Sequence, residues 1–124
     1  MKSFTDLEQS KKLIEILPLE SADMKWYFWK EEIDAPKVPT FGYSKTAAEN
    51  YKNTEAIYLP CWSLAAILDV LPYPQLSKDK LGSEKVGWMV SVYPDDCRYD
   101  SCWHDNAIDA CYEMIIRLNK LNIL

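Results

Sequence analysis

The sequence predicts an α+β protein, with about three helices packed on a small, mostly antiparallel sheet in one globular domain over residues 1–124. Three observations carry this. Leu13-Ile14-Glu15-Ile16-Leu17-Pro18 and Ile67-Leu68-Asp69-Val70-Leu71-Pro72 share one pattern, and each closes a helical periodicity at a proline. Each is followed, after a loop, by a strand-prone aromatic run, Trp26–Trp29 after the first and Trp88–Tyr93 after the second. A helix–loop–strand unit is therefore used twice, and a third apolar helical pattern ends the chain. A length of 124 residues leaves room for one core.

Taken in order, Thr5-Asp6-Leu7-Glu8 reads as a capping box with Thr5 as N-cap and Glu8 reaching back. Leu7, Leu13, Ile14 and Leu17 then form one stripe, while Glu8, Gln9, Lys11, Lys12 and Glu15 face water. Pro18 stops the helix, because a residue before proline is pushed out of the α region. In a strand, Trp26 and Phe28 point to one face and Tyr27 and Trp29 to the other. Residues 31–53, with Pro36, Pro39 and Gly42, read mainly as loop, with a short helix over Thr46–Tyr51.

Glu55–Leu59 reads as a short strand, and Pro60 introduces a second helix over Trp62–Leu71. That helix is apolar nearly all round and needs cover on most sides. Tyr73–Gly87 reads as a loop with a turn near Gly82-Ser83, followed by a strand over Val86–Tyr93 that Pro94 stops. The last helix starts at Asp105 as N-cap and runs to about Asn119. Asp109, Glu113, Arg117 and Lys120 form its polar stripe, with Glu113 and Arg117 spaced to pair. Its remaining positions are apolar, so more than half its circumference is expected to be buried.

Composition narrows the function. A net charge of −5 argues against sequence-independent nucleic-acid binding and against an anionic membrane surface. No apolar leader opens the sequence, and its longest apolar run, Leu64–Leu71, is too short to span a bilayer. These features point to a cytoplasmic location, where the four cysteines are reduced thiols. Five Trp and eight Tyr supply large rings for the core or for a recognition surface. With three glycines, none in a nucleotide motif, a phosphate loop is excluded.

Chemistry concentrates around the lone histidine. Cys102 and His104 offer a thiol beside an imidazole, the material of a cysteine nucleophile. Cys97, Cys102 and His104 could also be read as metal ligands, but no C-x2-C pair is present, and Cys111 falls on the apolar face of the last helix. The plainer reading is scattered buried cysteines, with Asp95, Asp96, Asp100 and Asp105 in an acidic loop that lacks calcium spacing. No cofactor is expected. Trp26, Trp29, Tyr43 and Trp103 are the candidates for a binding surface.

Several stretches resemble small proteins of phage, prophage or other mobile elements of gut Bacteroides-type bacteria. These are Thr5–Leu13, Glu15–Pro18, Glu20–Met24, Leu59–Ala66 with Leu71-Pro72, and Asp105–Ile115, about a third of the chain. The resemblance implies a setting, an accessory protein of a mobile element, and brings no activity, cofactor or catalytic residue with it. The expected function is thus a non-enzymatic accessory protein that acts by binding another protein or itself. The alternative is a small enzyme or metal-binding domain using the Cys97, Cys102 and His104 loop. Functional residues are expected in the segments 31–53 and 94–104, outside the resembling stretches.

Overall fold

The computed structural model describes every residue except Met1, Pro36, Leu81, Ser83 and Glu84. Pro36, expected in a loop, and Ser83, expected in a turn, lie outside the described residues. The fold is α+β, and the described residues form four α-helices and two three-stranded antiparallel sheets. The helices are α1 (Leu7–Leu13), α2 (Lys45–Tyr51), α3 (Leu64–Val70) and α4 (Ala107–Lys120). The strands are β1 (Met24–Trp29), β2 (Thr40–Phe41), β3 (Ala56–Cys61), β4 (Gln75–Lys80), β5 (Val86–Val92) and β6 (Tyr99–Asp100). Sheet order is β2-β1-β3 in the first and β4-β5-β6 in the second. Among the described residues no helix is long and apolar enough to cross a membrane.

The caps of α1 and α4 sit one residue later than the sequence suggests, α2 starts one residue earlier, at Lys45, and α3 two later, at Leu64. Asp6, not Thr5, caps α1, its Oδ1 accepting from the Gln9 backbone N–H at 2.7 Å while Gln9 Oε1 accepts from the Asp6 N–H. Thr5 is instead fully buried, accepting the Trp62 backbone N–H at 3.1 Å and sharing a hydrogen bond with Ser10. Gln9 faces inward rather than to water for the same reason. Asn106, not Asp105, caps α4. α1 ends at Leu13, and turns carry the chain on toward Pro18.

The twin motifs bury alike: Leu13 and Leu17, like Ile67 and Leu71, are buried, and Glu15 and Asp69 are exposed. Their surroundings differ. The first motif leads into β1, the central strand of its sheet, whereas the second leads into β4, an edge strand that precedes the expected Trp88 run. Gln75–Lys80, read as loop, is this strand. Its charged, non-alternating sequence suits an open edge, where Lys78 and Lys80 discourage pairing with another chain. α3 is covered on most sides, as its sequence suggests: Ile67 is fully buried, Leu64, Ala66, Leu68 and Val70 pack half-buried against the larger core, and only Ala65 and Asp69 within it are exposed.

The larger core joins both motifs to Trp62, Val90, Val92 and the inward face of α4, from Ile108 to Leu118. Cys111 lies in it, and burial pushes its thiol up to about 12. A smaller core holds Met24, Trp26, Phe28 and Cys61 beneath Phe4 and Leu7. β2 is short for a physical reason. Extending its register would put Pro39 opposite Trp26, and proline has no N–H to give the ladder. Gly42 ends it with φ +91°, donating its N–H to Asp23 O at 2.8 Å.

Candidate functional site

Two surfaces gather functional side chains. The first is a groove of about 620 Å³ along the polar stripe of α4, walled by Lys2, Asp6 and Gln9 on one flank and His104 on the other. Its floor is Asp109, Tyr112, Glu113, Ile116, Arg117 and Lys120, positions that share one helix face at i, i+3, i+4 spacing. Asp109 ties the start of the chain to α4: Oδ1 accepts from Lys2 Nζ at 2.8 Å and from Gln9 Nε2 at 2.8 Å, and Oδ2 from Asn106 Nδ2 at 2.9 Å. Burial works against its charge, but these three donors hold the carboxyl below the ordinary aspartate range.

Glu113 does the same for the loop before α4. Its carboxylate accepts the Cys102 backbone N–H at 3.0 Å, bonds His104 Nε2 at 3.0 Å, and pairs with Arg117 Nη2 at 3.3 Å. Arg117 also donates to the Asp100 carbonyl. Against a burial penalty, the His104 and Cys102 bonds keep Glu113 below its ordinary value. His104 is held from its backbone too, exchanging both hydrogen bonds with Trp88 of β5 at 2.7 and 2.8 Å. The loop is thus clamped between β5 and α4.

This geometry places the sequence candidates differently from a nucleophile or metal site. The described His104 ring bond goes to Glu113, a residue the sequence presented only as an Arg117 partner. Cys97 and Cys102 are exposed free thiols, and Cys61 and Cys111 are buried. Among the described residues no three His, Cys, Asp or Glu side chains converge to hold a metal ion. Lys2, Gln9 and His104 reach the groove from far along the chain, so only the α4 stripe was visible locally.

The second surface is the outer face of the β1–β3 ladder. Tyr27 lies opposite Tyr58 in register, and Tyr58 stacks on Tyr43 and on Tyr51, each at 5.6 Å between ring centroids. Tyr27 meets Tyr51 edge-on at 5.1 Å. Tyr51 is the last residue of α2, a helix with no buried residue, so these rings fasten α2 to the sheet. Ser44 caps α2, and its backbone N–H donates to Tyr58 Oη at 3.1 Å.

Beyond this cluster the face is open. Tyr27 and Trp29 remain nearly half exposed there, and Ile33, Val38 and Phe41 are exposed later in the same stretch of chain, the last two at 79% and 77%, with Phe41, opposite Met24 in register, on the other face of the sheet. Trp26, expected at the binding surface, is corrected to a core residue. It is 6% exposed, packs edge-on against Phe4, and donates Nε1 to Ser10 Oγ at 3.2 Å. The pleat that exposes Trp29 buries Trp26. Tyr43 is half-buried within the ring cluster, and Trp103 is partly exposed beside His104, outside that cluster.

Comparison with protein-family models, curated proteins and solved structures finds no match to this chain. The case for function therefore rests on these two surfaces.

Proposed function

We propose that the chain is a non-enzymatic accessory protein, in the setting of a mobile element, that acts by binding another protein through the exposed aromatic and apolar side chains of the segment from β1 to β2. The observation that carries this is the run of exposed large apolar side chains Tyr27, Trp29, Ile33, Val38 and Phe41 within one stretch of fifteen residues. Aromatic rings are enriched at binding hot spots, and a segment that exposes this many large side chains is suited to recognise a partner. The resemblance of the helical segments supports the mobile-element setting.

In this segment Glu31, Glu32 and Asp34 stand among Lys25, Lys30 and Lys37, so its charge is locally balanced and polar contacts to a partner can be of either sign. Light scattering across a concentration series, beside capture by immobilised protein, tests the reading. A monomer that retains a partner and loses it on joint Trp29→Ala and Phe41→Ala substitution is expected. A partner retained equally by the substituted protein would overturn it.

A further inference from the structure

The groove along α4 lies apart from the aromatic face, and its hydrogen-bonding ledger is lopsided. Its acids are already engaged: Asp109 accepts from Lys2, Gln9 and Asn106, and Glu113 from Cys102, His104 and Arg117. What is left over is mostly donors. Among the described residues the Lys120 ammonium and the Tyr112 hydroxyl bond to nothing, and Arg117 has N–H groups beyond those given to Glu113 and Asp100. Charge is balanced there, with Lys2, Arg117 and Lys120 against Asp6, Asp109 and Glu113, although the chain as a whole carries −5. An added ammonium would have to displace an existing donor. A single added negative charge would not.

The floor also has an apolar section. Tyr112, Ile116 and Lys120 follow at i, i+4 and i+8, a line of about 12 Å at 1.5 Å per residue that ends on the free ammonium. Tyr112 and Ile116 are half-buried, and burial raises the Tyr112 phenol, so its hydroxyl stays protonated as a donor. A volume of about 620 Å³ falls within the span of small-ligand sites. We propose that this groove binds a small organic carboxylate, its apolar body lying along Tyr112 and Ile116 and its carboxylate on Lys120. A monoanion fits better than a phosphate dianion, because only one of the groove's cations has no acid partner.

The probe is 4-phenylbutyrate, compared with its neutral amide and with 4-phenylbutylamine. NMR titration follows the Ile116 methyl and Tyr112 ring signals. The carboxylate should move both with a midpoint about tenfold below that of the amide, the gain expected of one charge-assisted hydrogen bond. Lys120→Ala should erase that advantage and Lys120→Arg should restore it. Lys120 is exposed, and an unchanged circular dichroism spectrum confirms that each variant folds. Equal midpoints for carboxylate and amide, a lower one for the amine, or no movement of either signal at about 10 mM, tenfold above a millimolar Kd, would each overturn the proposal.

Discussion

Replacing Glu113 with Gln tests whether one carboxylate holds the loop against α4. Gln preserves the shape and can still accept one bond, but it removes the charge that strengthens the Cys102 and His104 bonds and presents an amide to Arg117. A net hydrogen bond to a charged group is worth about 1.5–3 kcal/mol. The side chain is 26% exposed and Arg117 is 40% exposed, so the ion pair itself adds only about 0.3–0.5 kcal/mol. The expected loss at neutral pH is about 1–2 kcal/mol, or a fall in Tm of roughly 5 °C for a chain of this size.

The sign with pH follows from the depressed Glu113 carboxyl. Its contribution is full above the ordinary glutamate value of 4.5 and is lost as pH falls through the lower folded-state value. Urea unfolding of both proteins, at neutral pH and again well below 4.5, should show the gap and then its closure. Equal stability at neutral pH would refute the clamp. A gap that persists undiminished in acid would refute the role of the charge.

Other expectations follow from packing. Ile115→Ala, at a fully buried position of α4, should cost about 2–5 kcal/mol in denaturant unfolding, and a loss below about 1 kcal/mol would contradict the core assignment. Trp26→Phe should lower stability by about 1 kcal/mol through the lost bond to Ser10, whereas Trp29→Phe should leave stability within about 0.5 kcal/mol. In the native protein a thiol reagent should modify Cys97 and Cys102 quickly. Cys61 and Cys111 should react only on unfolding, and rapid native reaction of Cys111 would contradict its burial.

What was legible in the sequence tracks how local each signal is. α4 is long and strongly periodic, so its extent, buried face and Glu113–Arg117 pair could all be read directly. The alternation in Trp26–Trp29 gave β1 and its two faces, but not which face the core would take, so Trp26 was misplaced. β4 was missed because an edge strand with three charged residues has no apolar face to reveal it. Thr5 and Asp6 are both good caps, and the neighbouring core decided between them by burying Thr5.

The site was less legible than the fold. The α4 stripe could be seen, but its partners Lys2, Gln9 and His104 are brought in by tertiary packing. A lone histidine followed nine residues later by a helical Glu-x3-Arg pair was the only available hint. The aromatic face likewise needed the register that sets Tyr27 opposite Tyr58 and the end of α2 beside them.

The central claim, that the segment from β1 to β2 recognises another protein, is tested most directly by comparing partner capture by three forms of the chain. These are the original protein, the joint Trp29→Ala and Phe41→Ala variant, and a Tyr73→Ala control, which removes an equally exposed ring elsewhere. Capture lost only in the joint variant, at unchanged stability, is the predicted result. Capture lost equally in the control, or retained in all three, would contradict the account.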